Sequence, residues 1–364
     1  MIATKKKKIN IKLLSSTPPV VVGTGLIVLD IIVEGNDTIQ LHVGGSCGNV
    51  LSILAALGWK SWPVGRLGED RNGELITEEI KNLGMHSEYL TQETNIQTPV
   101  ILEKVRPGGV PTRTHSYSLR CPNCGTFFPR FRPIRKETAA QVSNSLKRAS
   151  VFYFDRTSPG ALSLANYYRQ HGSLIVFEPS SVGDGRLFKQ ALQSAHILKY
   201  SRERVTDIAE TVGEFQVPLE IETLGPDGLR YKHIPINNDC KKSNWVQLPA
   251  CKVSNLVDEA GSGDWCTAGL IYLLGRNGAS SFLRASESSL REAIMIGQSL
   301  ASVNCSYIGA RGVMSFVPIK ELIDLATRVA NGHCLEAKNR AAVSIQSLDV
   351  LGKVCPQCTT ERSD

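Results

Sequence analysis

Long apolar runs are absent from this sequence. No stretch approaches the roughly 18 consecutive apolar residues that a membrane-spanning helix needs. The first residues, MIATKKKKINIKLL, are basic and lack the apolar core and cleavage site of a secretion signal. We therefore expect a soluble, cytoplasmic protein with no membrane contact. The 364 residues, 42% of them hydrophobic, suffice for one large core or two smaller ones.

Acidic residues are absent between residues 104 and 136, where eight lysines and arginines occur. This basic segment and the lysine-rich start together hold more positive charge than the net +7 of the whole chain, so the remainder has an acidic balance. A basic binding surface is therefore confined to these two stretches. We expect residues 1–18 to form a disordered basic arm.

A disulfide framework is also not expected, because ten cysteines in a chain without a secretion signal favour reduced thiols or metal ligands. Two pairs share the spacing C-P-x-C, namely Cys121 with Cys124 and Cys355 with Cys358. The turn in this pattern directs both thiolates at one metal, and two pairs supply the four ligands of a structural zinc site. Such a site would close between distant parts of the chain or between subunits. A redox-active pair and unpaired surface cysteines are the alternatives.

Strand-like apolar runs alternate with helical patterns over most of the chain. The strand-like runs include PVVVGTGLIVLDIIV, SVFYFD, SLIVFEP, HILKYS and PLEIETLG. Their alternation with helical stretches predicts an α/β fold with a doubly wound, mostly parallel sheet flanked by helices. Residues 97–120 alternate like two strands around a Pro-Gly-Gly turn. We therefore expect a small antiparallel β lid from strands near 31–43 and 96–135.

Residues 258–270, DEAGSGDWCTAGL, place glycines and an aspartate directly before an apolar helical run. If the helix begins near Asp264, the backbone amides of Gly261, Ser262 and Gly263 lie at its positive end, where anions bind. A carboxylate beside a bound phosphate is unfavourable unless it has a chemical role, and accepting a proton from an attacking hydroxyl is such a role. The same residue also fits a helix N-cap.

This stretch resembles the C-terminal signature of the ribokinase-like (PfkB-type) carbohydrate kinases, D-T-x-G-A-G-D followed by a helix with F-x-x-G. Glu259 and Ser262 replace two signature residues, and the matching ones are Asp258, Gly261, Gly263, Asp264 and Gly269. Residues 43–85 are similar to the family's N-terminal signature, and LIVFEPSS, IETLGPDGLRYK and ASVNCSYIGARGVMSFVP to later segments. The resemblance implies a kinase domain over residues 19–335, which includes the lid with the first C-P-x-C pair, and a tail over 336–364 with the second pair.

The resemblance implies ATP-dependent phosphorylation of an alcohol on a sugar, sugar phosphate or nucleoside, with Mg²⁺ on the phosphates. By position, Asp264 would be the base, and the amides of Gly261, Ser262 and Gly263 would hold the transferring phosphoryl group. The acceptor would bind to Asp30, Gly44, Gly45 and Asn49. The nucleotide would bind to Ser201, Thr223, Gly225, Gly228 and Asn304. Ordinary turns and caps also account for residues of these types.

One family motif is altered in this chain. The N-x-x-E segment that the family associates with Mg²⁺ and phosphate falls on HILKYSRERV, where Ser201 and Arg204 take its two positions. Glu203 or Glu178 would then have to organise the water shell of Mg²⁺. A catalytically weak relative that acts as a regulatory or interaction module would show the same change. We favour the kinase, because the base and the anion-binding glycines are intact.

The basic segment fits three roles. As a lid it suits an anionic substrate, such as a sugar phosphate or ATP itself. Because Phe127, Phe128 and Phe131 lie among its positive charges, it would alternatively bind nucleic acid on a kinase scaffold. A solvated basic loop is the third role. Members of the family that carry a lid often pair through it, so the resemblance adds a homodimer through the lid as one option and leaves the oligomeric state open. The arginines of the segment are Arg106, Arg113, Arg120, Arg130, Arg132 and Arg135.

Overall fold

The computed structural model describes residue 9, residues 17–34, 38–105 and 115–205, residue 208, and residues 215–234, 244–252, 255–334 and 354–360. Of the predicted basic arm, Ile9 is held by two hydrogen bonds of 3.0 Å between its backbone and the side-chain amide of Asn331. Most of the predicted arm, most of the tail, and Arg106 and Arg113 lie outside the described residues.

Strands and helices alternate along the chain, as the apolar pattern predicts. The strands are β1 (Val20–Thr24), β2 (Val28–Glu34), β3 (Thr38–Gly44), β4 (Lys60–Gly68), β5 (Leu90–Glu93), β6 (Val100–Val105), β7 (His115–Ser118), β8 (Val151–Phe154), β9 (Leu174–Phe177), β10 (Ile197–Ser201), β11 (Leu219–Thr223), β12 (Leu229–His233) and β13 (Val246–Leu248). The helices are α1 (Gly45–Ala56), α2 (Arg71–Asn82), α3 (Lys136–Ser145), α4 (Pro159–Gln170), α5 (Gly185–Ser194), α6 (Ser262–Leu274), α7 (Gly278–Leu283), α8 (Glu287–Asn304), α9 (Ile319–Ala330) and α10 (Pro356–Thr360). Of the helices described, none is long and apolar enough to span a membrane.

The main sheet has nine strands in the order β13-β12-β11-β10-β9-β8-β1-β4-β5. All neighbouring strands from β11 to β5 are parallel, and β12 and β13 add an antiparallel edge. The chain runs from β1 outward to β4 and β5, and later returns to β8 on the other side of β1. The carboxyl ends of β1 and β8 therefore meet where the strand order reverses, which is the usual ligand-binding edge of such sheets.

Helices cover both faces of this sheet. Successive residues of a strand point to opposite sides, so a fully apolar strand needs packing partners on both faces. In β8, Phe152 and Phe154 pack with α3, α4 and α5, whereas Val151 and Tyr153 pack into the larger cluster with α1, α6 and α8. Helices α6 and α8 approach closely at two glycines. A Cβ atom on Gly269 would lie 2.7 Å from the Cα atom of Gly297, so a larger residue there would separate the helices.

The lid is a separate sheet with the order β3-β2-β6-β7. The expectation that this lid is antiparallel is wrong for its central pair. Strands β2 and β6 are parallel, with pairs running from Leu29 and Val100 to Glu34 and Val105. The parallel pairing arises because both strands leave the main sheet in the same direction, and the hairpin partners β3 and β7 return antiparallel to them.

The first long apolar run is interrupted and does not form one strand. Gly25 has φ of 146°, a backbone conformation that side-chain-bearing residues rarely adopt. A Cβ atom at this position would lie 1.6 Å from Oδ1 of Asp155. The same oxygen accepts a hydrogen bond of 2.8 Å from the backbone N–H of Leu26. Asp155 therefore stabilises the turn at the carboxyl end of β1, after which the chain enters β2 of the lid.

Candidate active site

Asp264 lies in the first turn of α6, as the sequence predicts. The N-cap residue Gly261 has a left-handed backbone with φ of 71°. A Cβ atom at Gly261 would lie 2.2 Å from the carbonyl oxygen of Ala310, so only glycine fits this close approach. This tight turn places the start of α6 against the loop that follows α8.

The first helical hydrogen bond of α6 runs from the N–H of Trp265 to the carbonyl of Gly261, at 2.9 Å. The N–H groups of Gly263 and Asp264 precede this bond and have no acceptor within the helix. The N–H of Ser262 instead donates to the carbonyl of Glu259 at 3.2 Å. Of the three amides predicted from the sequence, that of Ser262 is thus engaged within the loop, and the Gly263 and Asp264 amides are directed to the open end of the helix.

The Asp264 carboxyl group is half-buried and hydrogen-bonded to a residue 215 positions away. The Nδ2 atom of Asn49, on α1, donates to Oδ2 of Asp264 at 2.8 Å. Burial raises the pKa of Asp264 to about 7, and the negative charge of Glu178 adds to this rise. The bond from Asn49 and the charges of Lys199 and Arg204 oppose it. A carboxyl group with a pKa near neutrality suits general-base chemistry.

A buried ion pair between Lys199 and Glu178 contacts the first turn of α6. Lys199 on β10 is 2% exposed and donates to the Glu178 carboxylate and, at 3.2 Å, to the carbonyl of Gly263. The second oxygen of Glu178 accepts hydrogen bonds from Thr267 at 2.6 Å and Tyr153 at 3.2 Å. The cluster thereby fixes the backbone at Gly263. Sequence reasoning missed Lys199, although a lysine inside the apolar run HILKYS signals a buried charge that must be paired.

Asp30, on β2, lies close to Asp264 and is 8% exposed. Its carboxylate sits directly on Gly44, where a Cβ atom would lie 1.7 Å from Oδ2 of Asp30. The pKa of Asp30 is raised to about 7, chiefly by burial, and the charge of Asp264 contributes to this rise. Arg311 and the backbone N–H of Gly45 lower it. The negative charge of Asp264 therefore acts on the ionisation of Asp30.

The side-chain amide of Asn49 has one atom in a hydrogen bond and one atom without a partner among the described residues. Its Nδ2 atom binds Asp264, whereas its Oδ1 atom is buried with no hydrogen-bond partner among the described residues. A buried amide oxygen of this kind normally has a donor. The structure thus brings together all four residues predicted for the acceptor, namely Asp30, Gly44, Gly45 and Asn49.

Four of the predicted nucleotide residues lie at the carboxyl ends of β10 and β11. Ser201 and Thr223 are paired in register, and the hydroxyl of Thr223 donates to the carbonyl of Tyr200 at 3.4 Å. The short 3₁₀ turn Gly225–Asp227 follows, and Gly225 and Gly228 both have positive φ. A Cβ atom at Gly225 would lie 4.0 Å from Oε1 of Glu203, so this glutamate borders the same edge.

Asn304, the fifth predicted nucleotide residue, is fully buried at the end of α8. Its amide nitrogen donates to the carbonyls of Ala260, Gly309 and Ala310 at 3.2 to 3.3 Å, and its oxygen accepts from the N–H of Val313 at 3.3 Å. These bonds connect the two loops beside Gly261. Asn304 therefore shapes the loop that would surround a bound phosphate.

The lid contacts the signature loop through Asp258, which is fully buried. Asp258 accepts hydrogen bonds from the N–H groups of Gly309 at 2.8 Å and Ala260 at 3.0 Å, and its Oδ1 atom lies 3.0 Å from Nδ1 of His115 on β7. Glu103, on β6, lies beside the same carboxylate. Burial, Asp258 and Asp30 raise the pKa of Glu103 to about 9. Neither Glu103 nor His115 stood out in the sequence, because their partner is remote along the chain.

The four predicted zinc ligands are brought together by the fold. The sulfur atoms of Cys121, Cys124, Cys355 and Cys358 all lie within 4.8 Å of one another. The Sγ–Sγ distances are 3.8 Å between Cys121 and Cys358 and 3.7 Å between Cys124 and Cys355. The two C-P-x-C pairs therefore form one cluster within a single chain, at the end of β7.

The described arginines of the basic segment largely contact protein groups. The guanidinium of Arg120 lies 3.7 Å from the ring centre of Phe127, and Arg135 pairs with Glu93 at 2.7 Å. Phe128 is buried in the core, so it is not available for stacking on a base. Binding of nucleic acid, an anionic substrate, or a second chain through the lid stays a prediction from the sequence.

Comparison with known proteins finds curated relatives of low sequence identity. No protein-family model matches the chain. The fructokinase of Escherichia coli is 24% identical over 320 residues, which cover 82% of this chain and 95% of that protein. Probable fructokinase-5 of Arabidopsis thaliana is 22% identical over 292 residues, which cover 73% of this chain and 83% of that protein.

Solved structures with the same fold cover most of both chains. Fructokinase with bound ATP from Xylella fastidiosa has a TM-score of 0.65 at 15% identity, covering 84% of this chain and 97% of its own. Arabidopsis thaliana ribokinase complexed with ribose and ATP has a TM-score of 0.61 at 18% identity, covering 85% and 99%. Burkholderia thailandensis nucleoside kinase in complex with inosine has a TM-score of 0.62 at 16% identity, covering 86% and 99%. The predicted ribokinase-like fold is confirmed.

Proposed function

We propose that this protein is an ATP-dependent kinase that phosphorylates a hydroxyl group of a sugar, sugar phosphate or nucleoside. One observation carries the proposal. The Asp264 carboxyl group, with a pKa of about 7, lies beside the first-turn amides of α6 and is held by Asn49. The fructokinases and ribokinase to which the chain is similar support the same class of reaction.

In the proposed reaction, Asp264 accepts the proton of the acceptor hydroxyl as its oxygen attacks the γ-phosphorus of ATP. The bond between that phosphorus and the β,γ-bridging oxygen breaks, and ADP leaves with the electron pair. The N–H groups of Gly263 and Asp264 stabilise the negative charge that develops on the transferring group. Lys199 holds the Gly263 carbonyl and so keeps these amides in place.

The acceptor would bind between the lid and α1. Asp30 would accept hydrogen bonds from neighbouring hydroxyl groups, and the buried Oδ1 atom of Asn49 would accept another. Gly44 and Gly45 permit a small molecule to lie directly against the backbone. Because Asn49 also binds Asp264, the same side chain would align the acceptor with the base.

Mg²⁺ would arrive with the nucleotide. The groups of described side chains arranged to bind a metal ion are the four cysteines and the Glu103, His115 and Asp258 cluster, neither of which contains Glu203. Glu178 is already engaged by Lys199, Thr267 and Tyr153. The direct ligands of Mg²⁺ would therefore be phosphate oxygens and water, with Glu203 contacting the water shell. The bound metal supplies neutralisation of the phosphate charge.

A second candidate function is that of a pseudokinase acting as a regulatory or interaction module. The observation that favours it is Arg204, which stands where the family has a glutamate, and whose charge acts on Asp264. A positive charge at this position would bind phosphate but could not bind Mg²⁺. Such a protein would bind ATP without transferring its phosphoryl group.

The experiment that separates these functions is ADP release from Mg-ATP across a panel of sugars, sugar phosphates and nucleosides that includes fructose, ribose and inosine. ATP binding is measured in parallel by calorimetry. Release that depends on one class of acceptor supports the kinase and identifies its substrate class. ATP binding with no release across the panel supports the pseudokinase, and absence of both contradicts the two proposals together.

A further inference from the structure

The arrangement of the four thiols matches a metal site more closely than a pair of disulfides. Four sulfur atoms placed tetrahedrally about 2.3 Å from a zinc ion are about 3.8 Å apart. The Sγ–Sγ distances are 3.8 Å between Cys121 and Cys358 and 3.7 Å between Cys124 and Cys355. A disulfide bond requires about 2.05 Å. These two spacings match those of a tetrahedral zinc site, and the remaining sulfur pairs lie within 4.8 Å of one another.

Local backbone geometry turns each pair of thiols toward one point. The N–H of Gly125 donates to the carbonyl of Cys121 at 2.9 Å, and Gly125 has φ of 74°, which closes a tight turn after the first pair. The second pair begins a helical turn, in which the N–H of Thr359 donates to the carbonyl of Cys355 at 3.1 Å. Residues three apart in such a turn lie on the same side, so Cys355 and Cys358 both face the first pair.

The cluster joins three separate parts of the chain. Cys121 and Cys355 are each 2% exposed, and Val354 belongs to the main hydrophobic core. The side-chain amide of Asn72, in the first turn of α2, donates to the carbonyl of Val354 at 2.9 Å. The tail segment 354–360 is therefore attached to α2 by this bond and to the lid by the thiols.

We propose that Cys121, Cys124, Cys355 and Cys358 bind one zinc ion, and that this ion clamps the tail segment 354–360 between the lid and α2. Binding holds all four sulfur atoms as thiolates, and each thiol that is protonated beforehand releases its proton to solvent. The clamp would hold β7, an edge strand of the lid whose His115 lies against Asp258. Zinc binding at these thiols does not depend on whether the chain is a kinase.

Metal content tests the zinc site. Purified wild-type protein should hold about one zinc per chain by mass spectrometry, as a site with four protein ligands requires. The variants Cys121→Ser/Cys124→Ser and Cys355→Ser/Cys358→Ser should both lose it, whereas Cys334→Ser, an exposed cysteine outside the cluster, should keep it. Cobalt exchanged into the wild-type protein should give the visible absorption of tetrahedral thiolate coordination. A chain that binds no zinc after metal addition, or zinc that survives both double variants, would overturn the site.

Thiol titration distinguishes oxidation from metal binding. Protein unfolded with a chelator and without reductant should show all ten cysteines as free thiols. Disulfides within the cluster in freshly purified protein would contradict the proposal. Because the double variants risk misfolding, the same titration and the metal measurement are repeated on wild-type protein after zinc removal and after zinc is restored.

Hydrogen exchange tests the clamp. Removing zinc from the wild-type protein should accelerate amide exchange at residues 115–118 of β7 at least tenfold, with α8 unchanged. Restoring zinc should reverse the effect, and the chelated Cys334→Ser variant should behave like the chelated wild type. Exchange in β7 that is the same with and without zinc would refute the clamp even if the metal is bound.

Discussion

Replacing Lys199 with methionine should leave the Glu178 carboxylate without its positive partner, next to Gly263 in the first turn of α6. Lys199 is 2% exposed, and the side chain of Glu178 is 13% exposed. Removing one partner of a buried ion pair destabilises a protein by about 3 to 5 kcal/mol. Thr267 and Tyr153 still donate to the Glu178 carboxylate, so we expect the lower end, about 3 kcal/mol at pH 8.

The loss of stability should depend on pH with a defined sign. Burial raises the pKa of Asp264 to about 7 and the charge of Lys199 lowers it, so without Lys199 this pKa should rise further above its unfolded value of about 3.9. The folded state then binds a proton more tightly than the unfolded state, so the free energy of unfolding falls as the pH rises. Relative to wild type, the Lys199→Met variant should therefore lose less stability at pH 5 than at pH 8.

Urea unfolding at the two pH values measures this effect. The double variant Lys199→Met/Glu178→Gln is the matched control, because it removes both charges while keeping the shape of the Glu178 side chain. It should recover most of the lost stability and show little additional pH dependence. A single variant as stable as the wild type at pH 8, or a double variant no better than the single one, would refute the ion-pair account.

Two further predictions concern the start of α6. The rate of phosphoryl transfer should fall tenfold per pH unit below about pH 7, because a protonated Asp264 cannot accept the proton of the acceptor hydroxyl. A transfer rate that stays constant between pH 5 and pH 7 would contradict this role of Asp264. Gly261→Ala should abolish transfer and destabilise the fold by about 1 to 3 kcal/mol, because its backbone is left-handed and a carbonyl oxygen blocks the added methyl group. Gly58→Ala, also left-handed but with open space around it, is the control for the backbone effect alone, and equal losses of transfer in both variants would contradict the steric argument.

The sequence predicts the parts of the fold that depend on local pattern. Strand-like runs that alternate with helical runs indicate the parallel sheet. The glycines on either side of Ser262 indicate that a helix begins close to Asp264, which is where α6 starts. The residues predicted for the acceptor, with the exception of Asp30, lie at the start of α1 or just before it. These features depend on residues that are neighbours in the chain, and the sequence displays such residues directly.

Long-range pairings could not be predicted in the same way. The bond between Asn49 and Asp264 spans 215 residues, and that between His115 and Asp258 spans 143. The parallel pairing of β2 with β6 likewise follows from the path of the whole chain. No local pattern encodes these distances, because they depend on how the finished sheet brings remote segments together. The C-P-x-C pairs are an exception, since their shared spacing indicates a common site despite their separation.

The most direct test of the central claim is phosphoryl transfer by Asp264→Asn. The acceptor class comes from the panel experiment, and Asp324→Asn, an exposed aspartate on α9, serves as the matched control. We expect the Asp264 variant to lose at least 10³-fold in rate, a large general-base effect, while it binds ATP as the wild type does. The control should retain full activity. Transfer at the wild-type rate by Asp264→Asn would contradict the assignment of the base and, with it, the proposed mechanism.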